Sequence, residues 1–180
     1  MADLRYHIRR TDREITDQKA LKQLINYANH MALAMANENE PYVVPLDYIY
    51  VEKENAVYFH CTKEGKKIEF LKKNPKVWGL VVLDQGFGDG QCVNLYASVM
   101  FSGKVEFVEE QKAKHDVLIE FAKKTNKKPE PTIQRLEKMA GTDNEALFNR
   151  AALGRIKIET LTGKRSTEMT IERLFEITKK

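Results

Sequence analysis

The stretch YFHCTKEGKKIEFLKKNP, Tyr58 to Pro75, decides how the chain is read. Tyr58–Cys61 is aromatic and strand-like. Gly65 marks a turn, and the residues after it have helical spacing, with Ile68 and Leu71 on one face. Asn74-Pro75 stops this short helix, which spans roughly Lys66–Lys73. A helix start carries partial positive charge, so Lys66 and Lys67 in the first turn are unfavourable there unless a negative group compensates. Either the two amines point to water, or an anion sits on the free N–H groups after Gly65 with the lysines as counter-ions, since a helix N-terminus after a glycine is a ready phosphate site.

The residues on either side extend the pattern. PYVVPLDYIYVE (Pro41–Glu52) and NAVYFHC (Asn55–Cys61) are rich in Val, Ile and Tyr and read as a hairpin around the turn EKEN. Pro45 cannot donate to a ladder, so it marks an edge or a bulge. Upstream, Thr16 is placed to cap a helix over Asp17–Asn29, whose Leu21, Leu24, Ile25 and Ala28 share a face. MALAMA, Met31–Ala36, reads as a buried strand. Downstream, KVWGLVVLD is a strand and QGFGDGQ a hairpin loop. CVNLYASVMFSGKVEFVEE is one long strand or a pair broken at Gly103. Gly86–Gly90 contains G-x-G but opens no helix and lacks the dinucleotide spacing.

From Glu109 the periodicity is helical, with Ala113, Val117, Leu118 and Phe121 on one face. Acidic residues open this helix and Lys123-Lys124 close it, the order that the macrodipole favours. Thr132–Ala140 and Asn144–Ala152 read as further helices, then GRIKIETLTGK returns as a strand and TIERLFEITKK as a final helix. Strands with inserted helices and one late strand indicate an α+β fold with a mainly antiparallel sheet, which tends to close into a barrel to remove its edges. The 180 residues suit a single domain, 1–180, with a helical insertion at about 109–152.

Composition excludes several classes. The chain is 42% hydrophobic, too apolar for disorder. The N-terminus has no signal-peptide pattern, and no apolar run reaches the roughly 18 residues of a membrane span. These features give a soluble, cytoplasmic expectation with no membrane partner. Cys61 and Cys92 form neither a disulfide framework nor a zinc spacing, and the histidines have no metal-ligand spacing, so no metal is expected. The net charge of +4 comes with scattered lysine doublets rather than a basic stripe, which argues against nucleic acid. No nucleophile-elbow motif is present.

Four segments, PYVVPLDYIY, VYFHCTKEGKKIEFLKKNPKV, YASVMFSGKVEFVEE and IKIETLTGK, occur in the order and spacing of the pyridoxamine phosphate oxidase-like FMN-binding split barrels. The sequence most resembles their nitroimidazole-reductase subgroup, from about Arg10 to Lys164. The resemblance implies a six-stranded antiparallel split β-barrel that forms a homodimer with FMN at the interface. It implies backbone contacts to the flavin ring from Val43, Val44, Pro45 and Leu46, and ribityl contacts from Phe59, His60 and Cys61. The phosphate would fall to Lys66 and Lys67, with Lys63 assisting, and Ser98 would reach the flavin from the long strand. Three departures, the absence of an Arg-Lys pair at the phosphate, of a Gln near Ser98 and of a C-terminal arginine-rich signature, argue against pyridoxamine phosphate as substrate.

Beside such a flavin, His60 becomes the candidate catalytic residue, a proton donor with a suitable pKa range. The implied activity is FMN-dependent reduction of a small organic substrate, nitro-aromatics being one class, with electrons from NAD(P)H. The alternative is a non-catalytic barrel that stores or senses flavin, deazaflavin or haem.

Overall fold

The computed structural model describes residues 8–88, 94–139 and 151–179. The elements run α1 (Gln18–Tyr27), β1 (His30–Asn37), β2 (Glu40–Asp47), β3 (Ile49–Val51), β4 (Ala56–Thr62), α2 (Lys66–Lys73), β5 (Lys76–Phe87), β6 (Asn94–Val108), α3 (Gln111–Thr125), α4 (Glu130–Met139), β7 (Ala151–Arg165) and α5 (Ile171–Thr178). Short 3-10 turns cover Thr11–Arg13 and Glu52–Glu54.

All seven strands lie in one sheet, in the order β2-β1-β5-β6-β7-β4-β3, and every pairing is antiparallel. The strands β2 and β3 are the two edges of this sheet, yet only Tyr48 separates them in sequence. One residue spans no more than about 7 Å between its neighbours, so the sheet must roll until its edges meet at Tyr48. Tyr48 is fully buried, and its hydroxyl donates to the Ile25 carbonyl oxygen at 2.5 Å. The Lys124 ammonium lies 4.3 Å from the centre of its ring and donates to the Ala28 and Tyr48 carbonyls at 2.7 and 3.2 Å.

The architecture is therefore α+β and consistent with a split barrel, but the described residues form seven strands instead of six, with no ladder among them closing the sheet. The extra strand arises because PYVVPLDYIYVE is not one hairpin arm. Its first half pairs with β1, from His30↔Asp47 to Asn37↔Glu40, and only Ile49–Val51 pairs with β4. Pro45 lies on an edge strand, where its missing N–H costs no ladder bond; the register past it is unbroken, so there is no bulge. The expected break at Gly103 is instead a register shift between β6 and β7, at Ser102/Gly103, within a continuous 15-residue strand.

Three apolar clusters hold the roll together. Leu33, Val57, Phe59, Val81, Phe101 and Ile156 fill its interior, with Phe70 and Leu71 of α2. Leu21 and Leu24 of α1 and Leu174 of α5 pack with Leu83, Ala97 and Val99 of the sheet. Val117 and Phe121 of α3 cover the outer side of β3, β4 and β7 at Ile49, Ala56, Tyr58 and Leu153. The outer side of β2, β1, β5 and β6 has no helix among these clusters and leaves Val43 59%, Val82 52% and Met100 44% exposed.

Asp17 rather than Thr16 caps α1, accepting from the Lys19 and Ala20 amides at 2.8 and 3.1 Å. Of the expected helix Asn144–Ala152, residues 144–150 lie outside the described residues, and Ala151-Ala152 already belong to β7. The expected Gly86–Gly90 loop is likewise only partly described, with Gly86 at the end of β5 in a left-handed conformation, φ +72°.

Candidate functional site

The split in the barrel is set by the length of β3. That strand pairs only with Ala56–Tyr58, so beyond Tyr58 the strand β4 has a ladder to β7 on one side only. The edge strand β2 approaches β4 across this open side. A seam results, with unpaired main-chain groups of β2 along one flank, Phe59–Thr62 along the other, and the start of α2 at one end. Unpaired edge groups are donors and acceptors available to a ligand.

Most of the expected site residues meet at this seam. Alternation along β2 turns Val43 and Pro45 outward and sets Val44 and Leu46 against the interior cluster. Along β4, Phe59 is fully buried and its ring packs over Gly154, where a Cβ would approach within 2.3 Å. Cys61 is half-buried on the same side, and His60 points the opposite way. The three consecutive residues thus cannot present side chains to one ligand surface. Ser98 is elsewhere: it sits on the outer face of β6, paired with Val82 and Lys164 and three strands from β2.

His60 lies against α3, its ring edge-on to Phe121 with centroids 4.9 Å apart. Burial pushes its pKa below the ordinary histidine value; the nearby Asp47 carboxylate opposes this and the Lys67 ammonium reinforces it. Burial raises the Cys61 thiol, while Lys67 beside it acts in the other direction. Beneath His60 is a cavity of about 10 Å³, lined also by Lys114, Leu118, Ala151 and Leu153, which is room for one water. Lys114 is only 4% exposed, and its ammonium donates to Glu109 at 3.2 Å.

Helix α2 begins at Lys66, as its sequence indicates. Gly65 precedes it at φ +109°, a conformation that side-chain-bearing residues rarely adopt, and no side chain caps the helix. Lys67 is half-buried beside Cys61. Lys66 is half-exposed, and its ammonium donates to the Glu40 carboxylate at 2.5 Å. It also lies 4.9 and 5.4 Å from the ring centres of Tyr42 and Phe70. Glu40 thus supplies a negative charge to Lys66, while the helix start itself has no side-chain cap. Lys63 is exposed on the turn between β4 and α2.

Sequence reasoning missed Glu40, Asp47, Lys114 and Phe121. Glu40 and Asp47 are the two end residues of β2, and Lys114 and Phe121 reach His60 from α3. A wider groove of about 990 Å³ lies between β3, the Glu52–Glu54 turn and α3. Several polar groups along it are paired with one another, Tyr58 to Glu54 at 2.5 Å and Lys123 to Glu120 at 2.7 Å. The seam differs from this groove in having open main-chain groups and an uncapped helix start. Among the described residues no helix is long and apolar enough to cross a membrane, and no group of three or more His, Cys, Asp or Glu is placed to hold a metal ion.

Solved structures share this architecture. A protein from Bacteroides thetaiotaomicron named for 5-nitroimidazole antibiotic resistance matches with a TM-score of 0.70 at 24% identity, over 84% of this chain and 86% of that one. A FAD-binding protein from Mesorhizobium loti matches at 0.59 and 23%, over 86% and 97%. A flavocytochrome from Azotobacter vinelandii matches at 0.68 and 17%, over 90% and 71%. At these identities the likeness is one of fold. No curated protein matches the chain. The family model for pyridoxamine 5'-phosphate oxidase matches residues 17–165, and the chain is therefore a member of the pyridoxamine 5'-phosphate oxidase family.

Proposed function

We propose that the seam binds flavin mononucleotide between two copies of the chain, and that the loaded protein reduces a small organic substrate with electrons from NAD(P)H. Nitro-aromatic compounds are one class that such a site would accept. The observation that carries this reading is the convergence on one seam of the open edge of β2, the His60–Cys61 segment, and the uncapped start of α2 with its two lysines.

The residues fit the group. The polar rim of a flavin ring needs donors and acceptors along one edge, which the main chain of Val43–Leu46 offers. A phosphate needs amides and cations, which Gly65–Lys67 and Lys63 offer. Ser98 lies too many strands away to touch the same ligand from the same chain, so it would act from the second copy. The uncovered face of Val43, Trp78, Leu80, Val82 and Met100 is the kind of apolar patch that a second copy would bury.

When bound, the flavin supplies hydride chemistry. The chain supplies position and a proton. His60 borders the seam, and its protonated fraction shrinks as the pH climbs past a pKa held below the ordinary value. Turnover that takes its proton from His60 therefore falls with rising pH across that range. Replacing His60 with Phe keeps the contact to Phe121, lowers kcat about 100-fold and removes that pH limb, while flavin affinity changes by less than about threefold. A variant that loses flavin and keeps its kcat per bound flavin would assign His60 to binding instead.

The deciding experiment is an absorption spectrum of the purified protein, with mass measurement of the released cofactor. Bound FMN that NAD(P)H bleaches and a nitro-aromatic acceptor repeatedly re-oxidises supports the enzyme. Bound flavin or haem inert to reductant supports storage or sensing, a reading favoured by the flavocytochrome among the structures of this fold. A protein that binds neither flavin nor haem when supplied with excess would overturn both.

A further inference from the structure

The phosphate corner already contains an anion. Glu40 is the first residue of β2, directly after a tight turn in which Glu38 has φ +53°, and its pairing opposite Asn37 fixes the main chain there. Its carboxylate reaches 26 positions along the chain to the Lys66 ammonium. Both side chains remain about half exposed, 57% and 50%, so a ligand can reach the pair. Tyr42 and Phe70 confine the amine from the other side.

We propose that Glu40 is a specificity determinant of this corner: it holds Lys66 while the corner is empty and limits how strongly the protein prefers a phosphorylated flavin over an unphosphorylated one. The proposal rests on the flavin reading above. A phosphate monoester carries about −1.5 to −2 charge at neutral pH. On arrival it must draw Lys66 from Glu40 and then sit beside a carboxylate of the same sign. Both effects weaken phosphate binding, and the second grows with ligand charge. A ligand without phosphate, such as riboflavin, experiences neither. With Glu40 present, FMN is an exchangeable ligand rather than a permanently held one.

The test compares FMN and riboflavin on the full-length protein, by quenching of flavin fluorescence at equilibrium, for the natural chain and Glu40→Gln. Glutamine keeps the length and hydrogen-bonding capacity of Glu40 and removes its charge. The expected result is an FMN Kd about five- to tenfold lower in the variant, with riboflavin changed by less than about twofold. Added salt should shrink the FMN difference, because the pair is exposed. An FMN Kd that is unchanged or higher in Glu40→Gln overturns the proposal, the higher value meaning that Glu40 presents Lys66 to the ligand. Equal tightening of both flavins also overturns it, because the effect then does not act through phosphate. If neither flavin binds the natural chain, the flavin reading fails and takes this role with it, an outcome distinct from binding with no Glu40 effect.

Discussion

Changing Lys66 and Lys67 together to glutamine is expected to weaken FMN binding about 100-fold, counting roughly tenfold for each charge-assisted hydrogen bond lost at a partly wet site. Riboflavin binding should move by less than about threefold, since the proposed ring and ribityl contacts would come from other residues. The fold should survive. The buried residues of α2 are Ile68, Phe70 and Leu71; Lys66 touches that face only through its ammonium near the Phe70 ring, and Lys67 is half-buried beside Cys61. The double variant relieves the unfavourable charge at the helix start but gives up the Lys66–Glu40 pair, which is exposed and therefore worth little, so its thermal midpoint should move by no more than about 4 °C. Fluorescence quenching and far-UV circular dichroism on the same samples separate binding from folding. Equal FMN affinity in the double variant and the natural chain would remove the phosphate from this corner. The sign is opposite to that expected for Glu40→Gln, so the two experiments together establish whether the corner acts through charge.

The second large effect concerns stability. A methyl group at Gly103 would meet the Lys157 carbonyl oxygen at 2.3 Å and the Ile156 Cγ2 at 2.8 Å. The first obstacle is main chain of the adjacent strand and cannot rotate away. It lies where the β6–β7 register shifts, so an alanine there must push the two longest strands apart or move the shift. Gly103→Ala is expected to cost about 3 kcal/mol or more, which lowers the melting temperature by roughly 6–12 °C in a domain of this size. Lys104→Ala, at the exposed neighbouring position, is the control and should stay within about 1 °C, as surface substitutions usually do. A Gly103→Ala protein that melts within about 2 °C of the natural chain would show that the register shift absorbs the extra atom.

What the sequence revealed followed the range of the forces involved. Helix α2 and its boundaries were legible, because Gly65, the apolar pair Ile68 and Leu71, and Asn74-Pro75 all act within one turn or two. The apolar strand at Met31–Ala36 and the late strand after Gly154 were legible for the same reason. The division of PYVVPLDYIYVE was not: Tyr48 has the same strand propensity as its neighbours, and only the meeting of distant sheet edges makes it a corner. The charge problem at Lys66 was visible in the sequence, whereas its carboxylate partner within the chain was not. Glu40 looks like any turn residue until β2 is laid along the flank of the seam. Likewise Asp47 and Lys114 affect His60 or its surroundings from β2 and α3, and no local pattern announces either.

Tyr48 also limits what motions a ligand can exploit. Because a single buried residue ties one rim of the rolled sheet to the other, the rims cannot swing apart as two lids would; near that tie the gap is fixed by covalent reach. A ligand of the proposed site would enter from the far end, where the exposed side chains of Glu40 and Lys66 can part without the main chain moving. Such a cleft is shaped before its guest arrives, so little ordering is left to be done on binding.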